Sequence, residues 1–292
     1  MFTVNLMSAP DARTLELPLA EALRNAWGGG ALRWLAPDEA VEFDVLTRPG
    51  NLWQVWEDMQ AQALDLVVQP SANRRKKMLL ADMDSTMIEQ ECIDELADAA
   101  GVGDRVKKIT ARAMNGELDF EAALRERVGL LKGLPVATIN RVLAERISLM
   151  PGGRVLLATM KAQGAYAALV SGGFTAFTSV IAAQLGFDEN RANTLLVEGD
   201  VLSGAPGEPI LGQQAKVDAL LEITARLGIS EDDVLAVGDG ANDLGMLSRA
   251  GTGVALHAKP AVAAQCNSRV NHGDLTALLY LQGYSREAFV VV

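Results

Sequence analysis

Along the first seventy residues, short runs of alternating apolar and polar positions are separated by two longer amphipathic stretches. "FTVNLM", "AVEFDVL" and "LDLVVQ" follow the period of two expected of strands. "ALRWL" reads as a further strand before the turn "APDE". "DARTLELPLAEALRNAWGGG" has helical spacing and ends in glycines, which puts Pro18 at an early turn or kink. "LWQVWEDMQAQA" is a second helix, so the predicted order is βαββαβ. After "QPSANRRKK", residues 69–77, the pattern changes. "KMLLADMD" is apolar without alternation, as expected of a strand covered on both faces. Residues 89–148 then carry no convincing strand. Ile93, Leu96, Ala97 and Ala100 share one helical face, and "DRVKKITARAMNG", "DFEAALRERVGLLKG" and "PVATINRVLAERI" predict three further helices. Asp119 suits an N-cap and Pro135 a first helical turn. From Pro151 onward, helices and apolar strands alternate, interrupted by a hairpin in "NTLLVEGDVLSG" that turns at Glu198, Gly199 and Asp200.

This alternation implies an α/β fold with a doubly wound parallel sheet flanked by helices. The helical block at about 89–148 is an insertion directly after its first strand. The boundary near 69–77 separates a small α+β unit, residues 1–72, from the larger unit, residues 76–292. The basic run Arg74-Arg75-Lys76-Lys77 reads as a solvated linker.

Charge and composition narrow the functional classes. A net charge of -11 over 292 residues argues against a nucleic-acid partner, which would need a basic face. A local pocket can still be positive, so small anionic ligands stay open. Cys92 and Cys266 are too few for a disulfide framework, and a reducing cytoplasm is the simplest setting. No apolar stretch approaches the length of a membrane span, and the N-terminus has no basic segment before an apolar core. A homodimer is compatible with the sequence.

Candidate chemistry gathers at three strand ends: "LLADMDST", "ALVSGG" and "LAVGDGAND". In an open α/β sheet, ligands bind at the carboxyl ends of the strands, so these distant segments should meet on one rim. Asp82 and Asp84 stand two apart on an extended segment and point the same way. Two such carboxylates repel unless a cation or a shared proton compensates. A hard divalent cation such as Mg²⁺ suits them, with Asp239 and Asp243 offering further carboxylates. Taken singly, "DMDST" reads equally as a run of turn and capping residues, or as a structural cation site. "SGGF", residues 171–174, precedes a predicted helix, whose free N–H groups could receive an anion, although a plain strand-to-helix turn has the same composition. Lys216 falls inside a predicted helix, where most lysines are solvated. Together a cation, an anion cradle, a lysine and a carboxylate nucleophile suit phosphoryl transfer.

"DMDST", "SGG", Lys216 and "GDGANDLGM" occur in this order and resemble the motifs of the haloacid dehalogenase-like phosphohydrolases. The helical insertion resembles their C1-type cap. The resemblance covers roughly residues 76–292 and implies a small phosphomonoester substrate. It implies Asp82 as nucleophile, Asp84 as general acid and base, and Mg²⁺ held by Asp82, Asp239 and the Asp84 backbone carbonyl. It further implies that Ser171, Gly172, Gly173 and Lys216 hold the phosphoryl group, with Asn242 supporting the site. In the cap, Glu91 would face a substrate ammonium and Arg127 a carboxylate, with Met114 and Phe120 closing the apolar side. By composition alone, Arg127 belongs to an exposed charged row, Arg125-Glu126-Arg127. The βαββαβ unit resembles ACT-type, ferredoxin-like modules. Cys92 is expected to pack inside the cap, and His257 and His272 to serve turns or caps.

Overall fold

The computed structural model describes residues 1–114 and 118–291, with only the backbone of Met114 included. The first unit runs β1 (Phe2–Ser8), α1 (Leu17–Ala26), β2 (Arg33–Ala36), β3 (Ala40–Val45), α2 (Leu52–Gln60) and β4 (Leu64–Pro70). Its four strands form an antiparallel sheet in the order β2-β3-β1-β4. Helix α1 starts at Leu17, six residues later than the pattern suggested. Pro18 therefore occupies the first turn, where a missing N–H costs no hydrogen bond. Strand alternation sends Val4, Leu6, Phe43, Leu66 and Val68 into a core with Ala20, Leu23, Leu52 and Met59 of the two helices.

The opposite face of this sheet is also buried, and it is largely polar. Thr3, Asn5, Glu42, Asp65 and Gln69 are all buried there. Asn5, Asp65 and Gln69 find partners at the far end of the chain, on α12 (Ala277–Leu281) and the loop before it. Asn5 and Gln69 donate to the carbonyls of Tyr280 and Leu281, at 3.4 and 2.7 Å. Both carbonyls lie in the last turn of a short helix, where the intrahelical ladder supplies no donor. Arg74 donates to both, and pairs with Glu42 at 2.5 Å. Lys76 is buried and reaches the Asp232 carbonyl at 2.6 Å. The basic run is therefore not the solvated linker its composition suggested. Arg74 staples the sheet to the larger unit and Lys76 fastens the segment to Asp232, because helix-end carbonyls and a buried carboxylate need donors there.

The larger unit opens with β5 (Met78–Ala81), followed by the insertion α3 (Cys92–Ala99), α4 (Gly103–Met114), α5 (Phe120–Gly129) and α6 (Ala137–Glu145). The chain continues through α7 (Gly153–Ala162), β6 (Tyr166–Phe174), α8 (Thr175–Leu185), β7 (Glu189–Asn193), the hairpin β8 (Leu195–Glu198) and β9 (Val201–Pro206), and α9 (Gln213–Leu227). It closes with β10 (Val234–Gly238), α10 (Leu244–Arg249), β11 (Thr252–Leu256), α11 (Pro260–Ala263), β12 (Ser268–Val270) and α12. The second sheet is parallel throughout, in the order β12-β11-β10-β5-β6-β7. Every residue of β5 is buried, which explains its unbroken apolar run. Met78 and Leu80 pack with Ala219, Leu220 and Met246 of α9 and α10, while Leu79 and Ala81 pack with α7, α8 and α12 on the other face.

The helical insertion stands on two strand-like segments joined by an Ile88–Leu149 bridge, with Met150 N donating to Met87 O at 2.9 Å. The β8–β9 hairpin grips it a second time. Gly133 N donates to Leu202 O and Leu202 N to Leu134 O, both at 2.8 Å. Pro135 bridges Val201 here instead of opening a helix, and α6 begins two residues later. A ring that cannot donate costs nothing at such an edge. Asp119 does cap α5, accepting from Ala122 N at 3.1 Å.

Candidate active site

Strands β10, β5 and β6 are neighbours, and Ala81 pairs with both Val237 and Leu169. The residues just beyond these positions therefore emerge side by side, which places Asp82, Asp239 and Ser171 on one rim. Asp82 N still donates to Val237 O at 3.0 Å, so the carboxylate leaves from a held backbone. Met83 turns into the core, between Asp82 and Asp84. The rim opens into a cavity of about 920 Å³ whose other wall is the helical insertion. Asp82, Asp84, Glu91, Arg127, Ser171 and Asp239 all line it, as do Phe120, Gly172, Gly173 and Asn242.

Lys216 lies on α9 with its side chain buried, not solvated. Its Nζ stands 2.5 Å from Asp243 Oδ1 and 2.7 Å from Asp82 Oδ1. The Asp82 contact is a charge pair out of line for a hydrogen bond. Asp243 also accepts from Gly240 N at 2.9 Å. Burial alone would lower the lysine pKa, but Asp243 and Asp82 outweigh it and hold the ammonium above its ordinary value. Thr86 donates to Asp239 Oδ1 at 3.4 Å, tying the first strand end to the fourth motif.

One lysine does not neutralise this set. Asp82, Asp239 and Asp243 are all buried and bring carboxylate oxygens within 4.8 Å of one another. Burial, then Asp243, pushes the Asp82 carboxyl well above the usual range. The same two causes push Asp239 up to about 7. Such carboxylates want a second positive charge, and a hard oxygen-seeking cation fits them. Lys216 is shared between Asp243 and Asp82, so the charge of Asp239 and part of that of Asp82 are left to a cation. Asp84 is raised by burial, opposed by the Cys92 N–H that donates to its Oδ1 at 2.9 Å.

Ser171 to Phe174 close β6 and α8 starts at Thr175, so the glycine segment directly precedes a helix as the pattern suggested. Gly173 N donates to Ser171 Oγ at 2.9 Å, and Asn193 Nδ2 holds the Gly172 carbonyl at 2.8 Å. A Cβ at Gly173 would lie 2.6 Å from Asp84 Oδ2, so glycine is required for the close approach. Cβ atoms at Gly172 and Gly212 would meet the Phe120 ring at 3.1 and 3.3 Å. The ring therefore reaches from the insertion down to the strand end.

Glu91 precedes α3 and accepts from Ser85 Oγ at 2.9 Å. Ser85 holds a left-handed backbone, φ 54°, in the tight loop between the carboxylates and Glu91. Burial, then Asp84 and Asp239, pushes Glu91 up to about 8. Arg127 is buried, although Arg125 two residues earlier is exposed. Its Nε donates to Ala123 O and its Nη1 to Thr110 Oγ1, each at 3.2 Å. Burial draws the guanidinium below its ordinary pKa, and Glu91, Asp94 and Asp84 oppose that. The side chain of Met114, expected beside Phe120, lies outside the described residues.

Cys92 is buried and its thiol is raised by burial and by Asp84, the opposite of an activated nucleophile. His257 has φ 45° and bonds the Gly273 carbonyl through Nε2 at 2.8 Å, a turn role. Sequence reasoning passed over Thr110, Gln213 and Lys259, which also line the cavity. Lys259 was detectable as a cation just beyond an apolar strand. Thr110 carried no signal, since its role needs α3, α4 and α5 together.

The parallel sheet and its rim of carboxylates, lysine and glycines define a phosphoryl-transfer hydrolase. The family model for haloacid dehalogenase-like hydrolases matches residues 79–248, and the chain belongs to that family. The phosphoserine phosphatase of Archaeoglobus fulgidus is 44% identical over 217 residues, which are 74% of this chain and 63% of the relative. The phosphoserine phosphatase of Albidiferax ferrireducens is 45% identical over 210 residues, 70% of this chain and 89% of the relative. A solved phospho-aspartyl intermediate analogue of phosphoserine phosphatase superposes with a TM-score of 0.67 at 40% identity, covering 70% of this chain and 98% of that one.

Proposed function

We propose that this protein hydrolyses O-phospho-L-serine to L-serine and phosphate, through an aspartyl-phosphate on Asp82. The observation that carries the substrate is the pairing of Glu91 and Arg127 on the wall facing the carboxylate rim. An ammonium suits Glu91, and a guanidinium fork suits a carboxylate.

Asp82 attacks phosphorus, and the serine oxygen leaves. Asp84, whose raised carboxyl retains a proton more readily than usual, donates that proton to the leaving oxygen. The resulting carboxylate then takes a proton from water, whose oxygen attacks the aspartyl-phosphate and frees Asp82. Lys216, Ser171 and the backbone of Gly172 and Gly173 hold the phosphoryl oxygens. Asn242 supports them from the facing loop, and Phe120 closes the apolar side. Mg²⁺ would be held by Asp82, Asp239 and the Asp84 carbonyl, and supplies charge neutralisation of the phosphoryl group when bound.

Phosphate release from phosphoserine, phosphothreonine, phosphoethanolamine and a sugar phosphate, with and without Mg²⁺, tests this reading. The expected result is Mg²⁺-dependent release with phosphoserine preferred. Equal rates across the panel would overturn the substrate assignment.

The reaction belongs to serine biosynthesis, and two buried free thiols support a cytoplasmic setting. Residues 1–72 are read as an ACT-like domain docked on a phosphatase domain of residues 76–292, whose cap is the insertion at about 89–148. Sedimentation tests whether the chain forms a homodimer.

A further inference from the structure

Arg127 needs an explanation that the reaction itself does not provide. A long flexible side chain in a cavity wall reads a carboxylate well only if its plane is fixed before the ligand arrives. The Ala123 carbonyl is its helical neighbour four residues back and holds Nε. The second restraint comes from elsewhere in the cap. Thr110, on α4, is buried and lines the cavity. Its Oγ1 lies 3.2 Å from Arg127 Nη1 and 3.3 Å from Asp94 Oδ1 in the first turn of α3.

The proton directions in this chain are forced. Arginine has no acceptor and a carboxylate has no donor. The single Thr110 proton therefore goes to Asp94, and a lone pair of Oγ1 is turned to the guanidinium. Asp94 fixes the hydroxyl, and the hydroxyl fixes Nη1. Among the described residues, two of the five N–H groups of Arg127 are thereby taken, on two different nitrogens, which sets the plane of the fork.

We propose that Thr110, held by Asp94, is the positioning residue that aims Arg127 at the substrate carboxylate, and so helps select phosphorylated amino acids over amines that lack the carboxylate. This rests on the reading of Arg127 given above. Neither residue touches the phosphoryl group, so the effect belongs in substrate binding and not in the chemical step.

The test compares phosphoserine with phosphoethanolamine, which keeps the amine and phosphate and lacks the carboxylate, using the full chain with Mg²⁺. Thr110→Val keeps the shape and removes the hydroxyl. The expected result is a KM for phosphoserine raised about tenfold at nearly unchanged kcat, the scale of one hydrogen bond to a charged group. Phosphoethanolamine kcat/KM should change less than about twofold, a difference too small to represent a lost contact. Thr110→Ser should restore the phosphoserine KM, and Thr110→Ala substitutes for Thr110→Val if that variant does not fold. Equal losses on both substrates, or no rescue by serine, would overturn the proposal. Arg127→Gln separates the two levels. If it abolishes the preference for phosphoserine and Thr110→Val does not, the positioning role alone fails. If it leaves the preference intact, the carboxylate reading of Arg127 fails and takes this inference with it.

Discussion

Lys216 Nζ stands 2.5 Å from Asp243 Oδ1, and both side chains are buried. This pair makes the rim tolerable to the fold, because it leaves fewer carboxylates to be neutralised by other means. Removing one partner of a buried pair typically costs about 3–5 kcal/mol. Lys216→Met should therefore lower stability in urea unfolding and reduce kcat by about 100-fold or more, as loss of a preorganised cation does. An unchanged unfolding midpoint would contradict the pairing.

Asp82→Asn should abolish turnover while keeping the fold. Its stability without Mg²⁺ should equal or exceed that of the native chain. Burial and Asp243 push the Asp82 carboxyl well up, so the fold disfavours its ionised form and a neutral amide is accepted. Strong destabilisation of this variant would show that Lys216 compensates Asp82 more fully than the geometry implies.

Mg²⁺ affinity should rise with pH. Asp239 goes from an ordinary 3.8 to about 7 in the fold. Between those values the folded protein holds a proton that the unfolded chain has released, so stability without metal falls as pH rises through that window. Mg²⁺ competes with the same proton, and its binding should tighten by up to about tenfold per pH unit below 7, then level off. Titration calorimetry at pH 6 and pH 8 measures this, and equal affinities would count against Asp239 as a ligand.

Gly173→Ala should reduce kcat by about 100-fold with little change in melting temperature, the usual result of displacing a catalytic group by an ångström. The added Cβ would fall 2.6 Å from Asp84 Oδ2 and 3.1 Å from Ser171 Oγ. Retained activity would mean that Asp84 works from another position.

Asp65→Ala should destabilise the whole chain by about 2–4 kcal/mol, the scale of several buried donors left unpaired. The buried Asp65 carboxylate, at the start of β4, accepts from the backbone N–H groups of Asn271, His272 and Gly273 at 2.7 to 3.3 Å. A two-step unfolding curve, with the first unit melting alone, would instead indicate that the polar face of its sheet is a weak contact.

Much of this was legible in the sequence because it is local. Strand alternation, unbroken apolar runs and helical spacing depend on neighbours a few residues away, and they identify βαββαβ, the helical insertion and the parallel sheet. The meeting of Asp82, Asp84, Ser171 and Asp239 around one cavity was readable for a related reason. A parallel sheet delivers its strand ends to one rim, so the order of motifs along the chain already implies their meeting. The errors fall where partners are remote. Arg74 and Lys76 look like a linker until the carbonyls near residue 281 and Asp232 arrive to receive them. Pro135 suits a helix start until β9 lies beside it. Arg127 looks solvated until α3 and α4 cover it, and Thr110 has no visible role until Asp94 and Arg127 stand on either side. Sequence alone determined which elements form and which reactive groups gather at the strand ends. Tertiary structure decided which charges are buried, which partners orient them, and how the cap wall presents Glu91 and Arg127, because burial and hydrogen-bond direction are properties of packed elements and not of the segments that supply them.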